Sequence, residues 1–244
     1  MKCWSCEREV RAKVPRCPHC GRWGTVGRWR PMIEVERKSV ERVTTGSGEL
    51  DALLGGGRVP GCAYLLSGPP GCGKSTLALQ VAAKMRSLYA VAEESAGAVR
   101  LRFDRLACES PDLMVGEIEA VEDLADVPAG VGLLVVDSIH RLRTPAVAGA
   151  AGSNAQLLHA VELLIRQVRS SSLVVLIIAH VNKDGDASGT MGLEHDVDAL
   201  LEMRRGDSEP GSIYVRKNRH GPAPAHVAVQ VGESGIRFIE EAEG

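Results

Sequence analysis

The chain alternates between short, nearly pure apolar runs and longer stretches of mixed character, and each pattern predicts an element. Ala63-Tyr-Leu-Leu-Ser67, Tyr89-Ala-Val-Ala92, Val131-Gly-Leu-Leu-Val-Val-Asp137 and Leu173-Val-Val-Leu-Ile-Ile-Ala-His180 are apolar almost throughout. Continuous runs of this kind mark strands buried on both faces of a parallel sheet. Leu113-Met-Val115 reads as a shorter strand of the same set. Between these runs the apolar positions recur at helical spacing, over 77–85, 97–106 (Val99, Leu101, Phe103, Leu106), 121–126 and 155–170 (Leu157, Leu158, Val161, Leu164, Ile165, Val168). Leu50, Leu53 and Leu54 give a short helix ahead of the first strand. Beyond residue 196 the spacing shortens, and 198–203, 212–217, 225–231 and 236–239 read as antiparallel strands joined by tight turns. Strand alternating with helix predicts an α/β fold with a mainly parallel central sheet flanked by helices, extended by antiparallel C-terminal strands.

The first strand runs into Gly68-Pro69-Pro70-Gly71-Cys72-Gly73-Lys74-Ser75-Thr76, and a helical pattern follows at once. A buried strand, a glycine loop and a helix start are the context in which this motif cradles a polyphosphate. The glycines let successive N–H groups turn inward as an anion nest, and the helix adds its positive end. Lys74 is then expected to meet the β- and γ-phosphates and the Ser75 hydroxyl to ligate Mg²⁺. The chain is expected to bind a nucleoside triphosphate such as ATP.

Hydrolysis needs carboxylates as well. Asp137 closes the Val131 run and suits the magnesium hydration shell. Glu93 and Glu94 close the strand after the phosphate-loop helix, which puts both beside the loop in a parallel sheet. One of them is expected to activate the attacking water; Glu93 is the first candidate and Glu94 the second. His180 ends the following strand and is a candidate sensor of the γ-phosphate. The loops 143–154 and 182–192 each lie one element from the nucleotide and read as contact surfaces gated by it.

The N-terminus carries Cys3-x-x-Cys6 and, ten residues on, Cys17-x-x-Cys20. Two such knuckles set four thiolates tetrahedrally around one Zn²⁺, and so short a segment needs the metal to fold. Two disulfides are the rival arrangement. His19 reads as a bystander within the second knuckle, while Cys62, Cys72 and Cys108 read as small buried or loop residues. The expected domains are a four-cysteine zinc-binding domain at 1–28, a linker at 29–43 and an ATPase domain at 44–244. Residues 1–42 carry a net charge of +6 and the remainder −8, so a basic arm on an acidic body points to a polyanionic partner. Only 3% of residues are aromatic, which argues against many base-stacking platforms. No apolar run approaches the roughly 20 residues of a membrane span, and no signal region opens the chain, so a cytoplasmic protein without a membrane partner is expected.

Taken together, these residues resemble the bacterial RadA/Sms branch of the RecA-like ATPases. The resemblance is carried by the cysteine knuckles, Arg16-Cys-Pro-His-Cys-Gly-Arg-Trp-Gly-Thr25, Gly48-Glu-Leu-Asp with the triple glycine that follows, and the phosphate loop. It continues through Glu93-Glu-Ser95, Val136-Asp-Ser-Ile139, His180-Val-Asn-Lys-Asp-Gly185, Leu193-Glu-His195 and Lys217-Asn-Arg-His-Gly221. It implies a RecA-like P-loop core and a homo-hexameric ring that holds single-stranded or branched DNA in its channel. It further implies an ATP-driven motor or helicase for branch migration or other processing of recombination intermediates, working beside a RecA-type recombinase. Lys217 and Arg219 would reach the ATP of the neighbouring subunit, and the loop 183–192 would line the DNA channel. The family usually has Phe where His220 stands and Thr where Asn182 stands. It also continues into a protease-like C-terminal domain, which a chain ending at Gly244 is expected to lack. The competing readings are a regulatory or adaptor ATPase whose assembly follows ATP, and a zinc-bearing DNA-binding module with slow turnover.

Overall fold

The computed structural model describes residues 1–3, 5–11, 14, 16–22, 26, 41–108, 110, 112–180, 192–206 and 210–239. The chain divides into two compact units, Met1–Val40 and Glu41–Gly244. Most of the expected linker (29–40), Asn182 and the expected channel loop up to residue 191 lie outside the described residues.

In the smaller unit the two knuckles fold alike. The Glu7 amide donates to the Cys3 carbonyl at 2.7 Å and the Cys3 amide to the Arg8 carbonyl at 3.0 Å. The Gly21 amide donates to Cys17 and the Cys17 amide to Arg22, both at 2.9 Å. Each turn closes through a left-handed residue just after its second cysteine, Glu7 at φ 58° and Gly21 at φ 69°. Among the described residues, Val10 and Val26 pack with Cys3 and Cys17 into a small buried cluster.

The larger unit is built on one nine-stranded sheet. In chain order its elements are α1 (Gly48–Leu54), β1 (Ala63–Ser67), α2 (Lys74–Ala82), β2 (Ser87–Val91), α3 (Ala96–Arg105), β3 (Leu113–Glu117), β4 (Leu133–Asp137), α4 (Asn154–Arg169), β5 (Val174–Ile178), α5 (Leu193–Asp196), β6 (Ala199–Arg204), β7 (Gly211–Asn218), β8 (Ala225–Gly232) and β9 (Gly235–Ile239). The sheet order is β3-β2-β4-β5-β1-β6-β7-β8-β9. The apolar runs are continuous because each feeds two cores. Tyr64, Leu66, Leu133, Val135, Val174 and Ile178 face the layer containing α1, α2 and α3, and pack there against Leu77 and Val81. Ala63, Leu65, Leu134, Val136, Val175 and Ile177 face the other layer, where α4 presents Leu157, Val161, Leu164 and Val168. Each of these leucines, fully shielded from water, contributes about 1.5–3 kcal/mol.

Three expectations change. Leu101 is 73% exposed, because it stands two residues from both Val99 and Phe103 and so points away from the face they bury. The helix expected over 121–126 is a single 3-10 turn, Val121–Leu124, whose Asp123 carboxylate accepts the Glu119 and Ala120 amides. The strand expected at 198–203 is β6, and it runs parallel to β1 and antiparallel to β7. Twenty residues separate the end of β5 from the start of β6, enough for a parallel crossover that a tight turn would forbid.

Candidate active site at the C-terminal edge of the sheet

Strand register sets the site. Val91 stands opposite Asp137, Val136 opposite Ile177, and Ile178 opposite Leu66, so β2, β4, β5 and β1 end at one level. The residues that leave these four ends are Glu93 and Glu94, Asp137, His180 and the loop Gly68–Thr76. A crevice at the carboxyl ends of adjacent parallel strands is where open α/β sheets place their ligands.

Within the loop, Gly68, Gly71 and Gly73 have φ of 150°, 78° and 101°. A side chain at Gly68 would bring its Cβ to 2.4 Å from the Met203 carbonyl, so glycine is required there for close approach as well as for its dihedral. α2 starts at Lys74, directly after Gly73. The Lys74 ammonium is buried and donates to the carbonyls of Gly68 (2.7 Å) and Pro69 (2.8 Å). Burial holds that ammonium below its ordinary pKa, an effect the nearby Cys72 and Asp137 partly offset. A triphosphate would offer it stronger, charged acceptors than these carbonyls. Cys72 is itself buried, with its sulfur 3.9 Å from Lys74 Nζ.

Asp137 is buried, and its Oδ2 accepts the Tyr89 hydroxyl at 2.5 Å. The same hydroxyl lies 3.4 Å from the Ser75 carbonyl, so Tyr89 joins the strand-end acid to the residue at the start of α2. The peptide between Asp137 and Ser138 is cis. The Asp137 carboxylate and the Ser75 hydroxyl supply the hard oxygens that suit Mg²⁺.

The two glutamates have different partners. Glu94 is held by Arg102 in a two-pronged pair, at 2.6 and 2.9 Å. Glu93 meets His180 Nε2 at 3.2 Å and Arg141 Nε at 3.5 Å. Burial raises the Glu93 carboxyl, but the His180 ring and the Arg141 guanidinium outweigh it and hold the group below its ordinary value near 4.5. His140 receives the His180 backbone N–H on Nδ1 at 3.5 Å, with ring centroids 6.0 Å apart. The His180 Nδ1 is buried without a hydrogen-bond partner among the described residues. The loop 143–154 is tied at its start, where the Gln156 side chain accepts the Thr144 amide and donates to its carbonyl.

Lys217 and Arg219 stand elsewhere. Ser67, which enters the phosphate loop, pairs with Glu202, whereas Asn218 pairs with Ala199 at the other end of β6. Three residues of strand, about 10 Å, separate those levels before the loop itself is counted. Lys217 Nζ donates to the carbonyls of Glu194, His195 and Val197 at 2.7–3.0 Å. Arg219 reaches the His195 carbonyl at 2.8 Å and Asp198 Oδ1 at 3.3 Å. Neither side chain can serve the phosphate loop of its own chain.

In the smaller unit the sulfurs of Cys3 and Cys20 are 3.7 Å apart and those of Cys6 and Cys17 3.8 Å. These distances exclude disulfides, whose sulfurs lie about 2 Å apart. They match the edge of a tetrahedron drawn with Zn–S bonds of about 2.3 Å, which is about 3.8 Å. All four ligand atoms lie within 4.8 Å of one another, so the cluster is compatible with zinc. The His19 ring turns to the Glu9 carbonyl at 3.2 Å, away from a ligand role.

Residues 64–205 match the model of the ATPase family associated with various cellular activities (AAA). The chain belongs to this family. As an AAA ATPase it is 36% identical over 98% of its length to a protein of Mycobacterium tuberculosis named DNA repair protein RadA, and 33% identical over 98% to the protein of that name in Haemophilus influenzae. The motif-based resemblance to RadA is borne out by these relatives, although the chain spans only 55–56% of their length. Its fold is RecA-like. It superposes on a RadB recombinase at 23% identity with a TM-score of 0.64, covering 81% of this chain and 99% of that one. A KaiC-like protein of Pyrococcus horikoshii gives a TM-score of 0.66 at 18% identity, over 83% and 100% of the two chains.

Tyr89, His140 and Arg141 were not among the residues expected at this AAA site. Tyr89 had a legible signal, a polar tip inside an otherwise apolar strand that must find a buried partner. His140 and Arg141 had none beyond their place just after Asp137. The antiparallel strands also bear on the loop. Gly73 lies against Ile236 and Val231, and the Gln80 side chain accepts the Ile236 amide at 2.9 Å and donates to its carbonyl at 3.3 Å.

Proposed function

We propose that this chain is the ATP-hydrolysing core of a RadA-type, DNA-dependent motor for repair and recombination, with each active site shared between two copies. The observation that carries this reading is the division of groups between two ends of the sheet. The phosphate loop, Glu93, Asp137 and His180 occupy one end, while Lys217 and Arg219 occupy the other. A surface that needs a different surface of the same molecule makes a head-to-tail contact, which closes into a ring or continues as a filament. A hexameric ring is the form the resemblance implies. In it, Lys74 neutralises the β- and γ-phosphates, Ser75 and Asp137 hold magnesium, and Glu93 takes the proton from the attacking water. His180, hydrogen-bonded to Glu93, passes the state of the γ-phosphate to the segment 181–191, where Lys183 and the polar residues around it would meet single-stranded or branched DNA. Arg219 and Lys217 of the next copy stabilise the charge that develops on phosphoryl transfer. The clamp of Gln80 on Ile236 supports a stiff link between the phosphate-loop helix and the strands that lead to Lys217.

The test is molecular mass in solution with ATP, with and without single-stranded DNA, beside ATP turnover in the same samples. The motor reading expects ATP to favour the ring and DNA to raise turnover, with stimulation falling steeply as salt rises. Assembly with ATP but no response to DNA would replace it with the regulatory or adaptor reading.

Zinc at Cys3, Cys6, Cys17 and Cys20 belongs to the same proposal. Cys6→Ser is expected to release about one zinc per chain and to unfold the N-terminal segment, because the metal supplies its folding free energy. Metal analysis and limited proteolysis check this; unchanged zinc content would rule out the four-thiolate site.

A further inference from the structure

A second group of metal-binding side chains lies away from the nucleotide. Cys62 immediately precedes β1, Asp198 immediately precedes β6, and His220 follows β7 by two residues. Tyr64 pairs with Ala199 in parallel and Ala199 with Asn218 in antiparallel register, so the three positions stand side by side on neighbouring strands. Cys62 Sγ, a carboxylate oxygen of Asp198 and a ring nitrogen of His220 all lie within 4.8 Å of one another. We propose that Cys62, Asp198 and His220 bind one divalent transition-metal ion, zinc in preference, with a fourth position left to solvent.

The donor set argues for this metal class. One thiolate, one imidazole and one carboxylate are the three ligand types zinc takes in tetrahedral sites, and three protein ligands leave room for a water. Hard cations such as magnesium and calcium would reject the sulfur and the ring nitrogen.

The supporting contacts hold two of the ligands in place. The Ala63 amide donates to Asp198 Oδ2 at 2.9 Å, which fixes the carboxylate. A hydrogen bond behind a ligating carboxylate is the usual device for orienting it. The backbone of His220 is gripped on both sides: its amide donates to Asn218 Oδ1 at 3.0 Å, and Arg42 donates to its carbonyl. Asn218 and Arg42 both also hold the Leu54 carbonyl at the end of α1, which anchors the turn to the body of the unit. The His220 ring is exposed and has no hydrogen-bond partner among the described residues. Burial, with the charge of Asp198, pushes the Cys62 thiol up to about 11, so metal binding there would displace a proton.

Arg219 is the competitor. Its Nη1 lies 3.3 Å from Asp198 Oδ1, so it holds the carboxylate that a metal would share. The two cations oppose each other, so binding here is weaker than at a four-thiolate cluster, and occupancy would loosen the hold of Asp198 on Arg219.

The experiment uses the full chain with its four-cysteine cluster first saturated with zinc, then titrated with Co²⁺ and followed by visible absorption. One further equivalent is expected to give tetrahedral-type bands and a thiolate-to-cobalt band weaker than four thiolates produce, which distinguishes it from exchange at the first cluster. His220→Phe, a change at an exposed ring that leaves the core intact, is expected to weaken this equivalent at least about tenfold. Cys62→Ala is expected to abolish its charge-transfer band, and Arg219→Ala to tighten it severalfold. Absence of a second equivalent, or full affinity in His220→Phe, would overturn the proposal.

Discussion

Replacing Glu93 with glutamine is expected to leave nucleotide binding intact while slowing ATP turnover by about 10²–10⁴-fold, the usual share of a general base. The substitution keeps size and hydrogen-bonding reach but removes the charge that draws the proton from water. Lys74, Ser75 and Asp137 are untouched, so nucleotide affinity should change little. Glu94→Gln is the contrast. It breaks the two-pronged pair with Arg102, which anchors α3, and should cost less than about tenfold in rate with a modest loss of stability. Reversed magnitudes would assign the base to Glu94. The acid limb gives a second check. The Glu93 carboxyl is held below its ordinary value near 4.5, so it stays ionised from neutrality down through pH 5. Its contribution is present above that value and is lost only as pH falls through the lower, folded pKa. A Glu93-dependent loss of rate between pH 6 and 7, absent from Glu93→Gln, would contradict the arrangement described.

Why two adjacent glutamates remain indistinguishable in the sequence, yet differ in the structure, is a matter of tertiary partners. Alternation along β2 fixes only that both leave the strand end beside the loop. Their partners, Arg102 from α3 for Glu94 and His180 and Arg141 from two other strand ends for Glu93, are contacts that no local pattern encodes. The same holds for Tyr89, whose hydroxyl finds Asp137 across 48 residues of chain. The parts that were legible are those dictated by short-range chemistry. Continuous apolar runs gave the doubly covered strands, the glycines of the loop gave its positive φ values, and the cysteine spacing gave the two knuckles. Leu101 and β6 were misread for opposite reasons. Leu101 belongs to an element whose type was right but whose face was assigned from composition, where the angle between neighbours decides. β6 belongs to a region where strand spacing was read correctly but direction depends on a connection whose path the spacing does not report.

Mixing two inactive variants is expected to restore activity that neither has alone. Arg219→Ala should lower turnover by about 10³-fold or more, the range seen when a charge supplied across an interface is lost, while its own phosphate loop stays intact. Lys74→Ala should fail at the phosphates yet still present an intact Arg219 from the opposite end of its sheet. In a head-to-tail ring assembled at random from equal amounts, about a quarter of interfaces join a sound phosphate loop to a sound arginine, so turnover should recover toward about a quarter of the unmodified level. The register of β1, β6 and β7 motivates the experiment, since it keeps Arg219 away from the phosphates of its own chain. Arg219 also holds the His195 carbonyl and Asp198, so its removal relaxes the turn ahead of β6. Arg219→Lys separates the two roles. A lysine cannot reproduce the planar fork toward the transferring phosphoryl group but keeps a donor for the carbonyl. Rescue in the mixture with Arg219→Lys, at unchanged melting temperature, would tie the lost activity to the guanidinium fork delivered between subunits. No rescue in either mixture, with rings still forming, would return Arg219 to a purely structural part in its own chain.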